Sequence, residues 1–162
     1  ADLWVYFRSI PESSTPSIDH DLPIYVRWRR PLAFWKLLNK RQPLIDLASS
    51  DATIQRGAYL VETLGHCGEC HTSRNFIGGL KYGYWLGGAK NPTGRGMIPS
   101  LTPAKFTWNT EEIVEYLASG FTPDFDVAGG HMVDVIENTS KLTEQDRLAI
   151  AEYLKAIPGV QK

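Results

Sequence analysis

The chain has 162 residues, enough for one compact domain with some extra chain or two very small ones. Hydrophobic residues make up 43% and charged residues 22%, close to globular averages, which excludes wholesale disorder and fibrous structure. The 17 basic and 18 acidic residues leave a formal net charge of −1, so there is no electrostatic footprint for nucleic acid. No apolar run reaches the roughly 18 residues that a membrane-spanning helix needs. No leader pattern is visible at Ala1, so the chain reads as cytosolic, already processed, or a fragment.

In chain order, Asp2 to Ile10 predicts a helix, ended by Pro11. Residues 11–31 hold Pro11, Pro16, Pro23 and Pro31 among Ser and Thr and read as an extended linker. Pro31 to Leu38 predicts a short apolar helix with Pro in its first turn, and Pro43 closes that region. Ala52 to Leu64 fits a longer helix, with Ser50 or Asp51 as N-cap. Residues 72–108 carry seven glycines from Gly78 to Gly96 together with Pro92, Pro99 and Pro103. So long a loop region inside a small domain is expected to wrap a functional site. Thr110 to Ser119 predicts a helix with Asn109 as N-cap, Glu112 in the capping-box place and Gly120 just past the end. His131 to Asn138 and Glu144 to Ala156 are the last predicted helices, the second capped by Thr143 and Asp146 and stopped at Pro158-Gly159. No alternating pattern announces a strand, so the fold class is all-α with long Gly/Pro-rich loops.

The two cysteines fall in one string, Cys67-Gly68-Glu69-Cys70-His71. C-x-x-C-H is the attachment motif of c-type haem. Two thiols at this spacing add to the two vinyl groups along one porphyrin edge, and the adjacent His71 becomes an axial iron ligand. A zinc knuckle would need further ligands, usually a second Cys/His pair. A thioredoxin-like dithiol belongs in a βαβ context that the sequence lacks. One haem c per chain is therefore expected. Candidates for the sixth ligand are Met97, Met132, His20, His66 and His131. Candidate haem-pocket residues are Arg74, Tyr84, Trp85, Ile98, Pro99, Leu101 and Trp108, with Tyr82, Ile113 and Leu117 as further wall candidates.

The order helix, C-x-x-C-H, Gly/Pro-rich loops, helix, Met, final helix resembles class I cytochromes c. In that family the first and last helices cross at a small residue. Gly57 and Val61 match the first helix of that pattern, with two extra residues before Cys67, and Tyr153 and Leu154 match the last. The resemblance implies Met132, which lies 61 residues after His71, as the sixth ligand. A closer resemblance covers most of the chain. Arg56-Gly-Ala-Tyr-Leu-Val61, Gly65 to Asn75, Asp146 to Lys155, His20-Asp-Leu-Pro23 and Arg30 to Lys36 look like the multi-haem cytochrome c subunits of periplasmic membrane-bound alcohol and sugar dehydrogenases. The chain departs from them at Ser73, where Pro is usual, and at Ser100, where Asn is usual.

The resemblance implies a periplasmic electron carrier, not itself an enzyme, that takes electrons from a dehydrogenase or another cytochrome and passes them to the respiratory chain. The alternative is a haem enzyme or a gas or redox sensor with an open or exchangeable sixth position. The expected organisation is a terminal helix over 1–11, a Pro-rich linker over 12–50 and a cytochrome c domain over 51–162. Val26 to Arg30, with Phe34, Trp35, Leu37 and Leu38, is too apolar for a free linker. It is expected either to strap across its own domain or to dock on a dehydrogenase or a sister haem domain. Finally, Tyr6-Phe-Arg-Ser-Ile-Pro11 repeats the pattern of Tyr153-Leu-Lys-Ala-Ile-Pro158. The repeat predicts that the first segment ends a preceding haem domain of a longer chain, the alternative being a helix that packs on this one.

Overall fold

The structure, a computed structural model, describes residues 2–27, 29–40, 51–92, 94 and 96–160, with the backbone alone at Tyr25 and Val26. Trp28, Pro43 and Ser50, used in the sequence reading, lie outside the described residues. The chain divides into two compact units, residues 1–40 and 41–162.

The first unit holds helices α1 (Asp2–Ser9), α2 (Ile24–Arg27) and α3 (Arg30–Leu38). The sequence predicts an extended linker through residue 31, but Ile24–Arg27 winds into one helical turn, too short for any periodicity to announce it. Pro31 stands in the first turn of α3, where its missing N–H would have no partner in any case. The helix stops where both the backbone N–H and the side-chain amide of Asn39 bond to Trp35 O, at 3.0 and 2.9 Å. Neither α1 nor α3 buries a residue, and Leu3, Trp4, Val5, Tyr6 and Phe7 remain 62–73% exposed.

The second unit is mainly helical. Helix α4 (Ala52–Ala58) runs into a π-turn (Tyr59–Leu64), followed by the short α5 (Cys67–His71). A long loop follows, carrying a 3-10 turn (Tyr82–Tyr84) and strands β1 (Ala89–Lys90) and β2 (Met97–Ile98). Helices α6 (Thr110–Ser119), α7 (Met132–Thr139) and α8 (Glu144–Ala156) complete it. Three cap predictions hold. Asp51 accepts from Thr53 N, Asn109 and Glu112 form a reciprocal capping box, and Gly120 closes α6 at φ 81°. Two expectations change. The single helix over Ala52 to Leu64 is α only as far as Ala58, and its second half is π, closed by Gly65 N–H to Leu60 O five residues back at 2.7 Å. A π-turn takes up a residue that an α-turn would not, and this stretch is longer than the pattern it resembles. The all-α reading also misses a small antiparallel pair, Ala89 opposite Ile98 and Lys90 opposite Met97. Two-residue strands are too short for alternation to register.

The core forms where α8 lies across α4 and α6. Helix α8 buries Ala149, Ile150, Ala151, Tyr153 and Leu154, which meet Ala58, Leu60, Val61 and Ile113. Full burial of an aliphatic side chain such as Val61 contributes roughly 1.5–3 kcal/mol. Gly57 makes the crossing possible, because a Cβ there would lie 1.9 Å from Ala149 O. The Arg56 guanidinium forks onto Asp146 at 2.7 and 3.1 Å across the same crossing. Thr139 Oγ1 donates to Leu117 O at 2.7 Å, which ties α7 to α6. Arg147 caps the end of α7 through Ser140 O and Leu142 O.

Candidate functional site

The motif Cys67-x-x-Cys70-His71 is itself the helix α5. Entry to it needs a sharp change of direction, which His66 makes in the left-handed region at φ 49°. Positions i, i+3 and i+4 of a helix share one face, so Cys67, Cys70 and His71 project together. Both thiols are free, Cys67 half-buried and Cys70 exposed. Burial pushes the Cys67 thiol up to about 11.

His71 is only 6% exposed, and its Nδ1 lies 2.8 Å from Pro99 O. A carbonyl can only accept, so Nδ1 carries the proton and Nε2 keeps its lone pair for a metal. Burial lowers the imidazole pKa, opposed by the Pro99 carbonyl, and this favours the neutral ring that coordination requires. Pro99 is held in place by the loop around it. Gly88 N–H donates to His71 O at 2.8 Å, Leu86 N–H to Thr72 Oγ1 at 3.0 Å, and Leu101 N–H to Leu86 O at 2.8 Å. Thr72 and Gly88 form a β-bridge, and the β1–β2 register delivers residues 98–100 beside them. Gly88 turns at φ 88°, and a Cβ there would lie 2.9 Å from Ile98 O. Leu86 turns at φ 54°, which costs about 1–2 kcal/mol, but its fully buried side chain returns roughly 1.5–3 kcal/mol, so the turn holds.

Met132 is half-buried at the first position of α7. Met97 is 65% exposed in β2. His66 and His131 are exposed in the second unit, and His20 is exposed in the first. Among the wall candidates, Leu101 and Trp108 are half-buried against the core, and Ile98 is half-buried in β2. Trp108 lies between Phe106, tilted to it, and Tyr116, edge-on to it, with ring centroids 5.0 and 5.1 Å away. Tyr84 is 41% exposed. Arg74 is bonded to Glu69 and, at 2.8 Å, to Gly78 O. Trp85 is 8% exposed and packs against Gly68, on the side of α5 about 100° round from the Cys/His face. The sequence reading names Pro99 as a wall residue, and the structure adds that its carbonyl is the partner of His71. The positioning roles of Thr72, Leu86 and Gly88 escaped it, since each depends on backbone that the loop brings together from a distance.

The residues present fit a covalently attached haem. Two thiols share a face with a buried imidazole whose second nitrogen is already committed to a carbonyl. Among the described residues, no group of three or more His, Cys, Asp or Glu is placed to hold a bare metal ion. No described helix is long and apolar enough to cross a membrane.

Comparison with known proteins bears on the same motif. No family model matches the chain. It is 49% identical over 164 residues to a protein of Cereibacter sphaeroides described as diheme cytochrome c-type, covering 99% of this chain and 54% of that protein. It is 38% identical over 156 residues to the cytochrome c subunit of alcohol dehydrogenase (quinone) of Gluconobacter oxydans, covering 88% and 32%. It is 33% identical over 165 residues to the fructose dehydrogenase cytochrome subunit of Gluconobacter japonicus, covering 97% and 33%. The chain thus spans about half the length of the first relative and about a third of the other two.

Proposed function

We propose that this chain, a homologue of the cytochrome c subunits of dehydrogenase complexes, is a class I cytochrome c electron-transfer domain carrying one haem c on Cys67 and Cys70. The observation that carries the reading is the buried His71 in the motif helix, with Nδ1 bound to Pro99 O and Nε2 left for iron. When bound, the haem supplies a one-electron couple. The chain's part would be to hold His71 and Met132 rigidly and to keep water from the iron. His71 is one ligand. Met132 would be the other, as the resemblance to class I cytochromes c implies; its half-buried thioether at the start of a helix tied to the core through Thr139 supports this. With His71 and Met132 both holding the iron, substrates would not reach it, and the thioether would raise the reduction potential. The chain therefore passes electrons and performs no catalysis of its own.

The redox partner in this reading is a periplasmic dehydrogenase or another cytochrome, with electrons leaving toward the respiratory chain. The domain works in the periplasm, soluble or peripheral on the outer face of the inner membrane. The names of the relatives, cytochrome subunits of alcohol, fructose and gluconate dehydrogenases, support a dehydrogenase as the partner.

Absorption spectroscopy tests the reading. The expected result is low-spin haem in both oxidation states, a weak far-red thioether-to-iron band in the ferric form, and a pyridine haemochrome that stays with the denatured chain. Met132→Ala should abolish the far-red band while leaving the haem attached. A ferrous form that is high-spin and takes up carbon monoxide at once would instead support an open-site enzyme or sensor.

A further inference from the structure

Behind the attachment helix lies a line of side chains that the proposed function does not use. Gly68 meets the Trp85 indole so closely that a Cβ would fall 2.0 Å from Trp85 Cη2 and 2.2 Å from Cζ3. The indole therefore rests on the backbone of the motif itself. It is held from two other directions. Tyr82 stacks on it at a centroid distance of 5.9 Å, and Trp85 Nε1–H donates to Tyr153 Oη at 3.3 Å. Tyr153, fully buried at the crossing of α4 and α8, donates in turn to Glu62 Oε1 at 2.5 Å. A phenol can accept one such bond while donating another, so the donors run one way, from indole through phenol to carboxylate. A chain that ends on an anion is stronger than its neutral links alone.

Glu62 lies in the π-turn Tyr59–Leu64. Single π-turns are rare and concentrate at functional sites. Glu62 also borders a hollow of about 210 Å³ with His66, Glu69 and Tyr82, which are the ionisable groups facing it there. The half-buried carboxylate is thus anchored to α8 through Tyr153 and to α5 through Trp85.

We propose that Glu62 and Tyr153 are positioning residues for the haem, acting through Trp85 to fix the attachment turn, with the charge of Glu62 helping to set the reduction potential. The proposal rests on the electron-transfer reading above. It follows that Trp85 serves as a backing plate for α5. A negative charge behind the motif stabilises the oxidised, more positive haem, so its loss should raise the potential.

The test uses the full haem-loaded chain with Glu62→Gln, Tyr153→Phe and the double variant, read by redox titration, ferric electron paramagnetic resonance and thermal unfolding. Glu62→Gln is expected to move the midpoint potential upward. Tyr153→Phe should shift both the potential and the ferric signals, because the Tyr153 hydroxyl that joins Trp85 to Glu62 is removed. In the double variant the two shifts in the ferric signals should not add, since both residues reach the attachment turn through the same indole. Variants that unfold at lower temperature while keeping the parent potential and ferric signals would reduce the trio to ordinary core and overturn the proposal. Additive shifts would overturn the coupling. Should Tyr153→Phe fail to fold, Glu62→Gln alone decides, read also at the Trp85 indole N–H resonance, which must move. An unaltered chain without a low-spin His/Met spectrum would count against the electron-transfer reading instead.

Discussion

Gly57 and Tyr153 meet at the crossing of α4 and α8 so closely that a Cβ on Gly57 would stand 2.7 Å from Tyr153 Cβ, with Ala149 O nearer still at 1.9 Å. Gly57→Ala sets two effects against each other. Alanine favours the helix by about 1 kcal/mol. The clash is with the Ala149 backbone on one side and the Cβ of the fully buried Tyr153 on the other, and overpacking of that kind costs about 1–3 kcal/mol or more. The clash wins, so Gly57→Ala is expected to lower stability, read as an earlier denaturant midpoint.

That crossing was legible through the resemblance to class I cytochromes c, whose first and last helices cross at a small residue and whose pattern Gly57 and Tyr153 match. The caps of α6 and α8 were legible from the residues themselves, since each is written within four residues. The π-turn was not. Tyr59 to Leu64 has ordinary helical composition, and the widening appears only when the stretch must join both α8, through Tyr153, and the left-handed turn at His66. The attachment motif was readable down to His71. The carbonyl that orients His71 was not, because it comes from 28 residues later and from the backbone, where side-chain identity carries no signal.

The Arg56–Asp146 fork predicts a pH dependence. The guanidinium and the Thr143 cap hold the Asp146 carboxyl below its usual range. A depressed folded value contributes stability that is present above the unfolded pKa, about 3.9, and is lost as pH falls through the folded one. Asp146→Asn should therefore be less stable than the parent chain at neutral pH. The difference should shrink as pH drops below about 4. A gap between the two unfolding curves that stayed constant down to strong acid would mean the fork contributes nothing to this linkage.

The two thiols should differ in reactivity before haem attachment. Burial pushes Cys67 up to about 11, whereas Cys70 is exposed. Alkylation requires the thiolate and access to it. At mildly alkaline pH, iodoacetamide should label Cys70 well before Cys67, as peptide mapping by mass spectrometry would report. Equal labelling of the two at early times would contradict the burial of Cys67.

Gly88 links the loop to His71, the proposed iron ligand. It turns at φ 88°, and an added Cβ would meet Ile98 O at 2.9 Å, Ser100 N at 3.1 Å and the Pro99 carbonyl carbon at 3.3 Å. Each of these is backbone of the segment whose Pro99 O holds His71 Nδ1 at 2.8 Å. Gly88→Ala combines a left-handed alanine, about 1–2 kcal/mol, with displacement of residues 98–100. Its stability should fall by about 1–3 kcal/mol. The second consequence is electronic. A stretched Nδ1–H···O bond makes the imidazole a weaker donor, which favours the reduced haem, so the midpoint potential should rise along with the loss of stability. Gly83→Ala serves as the neutral control, since a Cβ there meets nothing within 4 Å and no positive φ is required. A Gly88→Ala protein that lost stability but kept the parent potential and an unshifted His71 ring N–H resonance would show that the loop packs around His71 without tuning it.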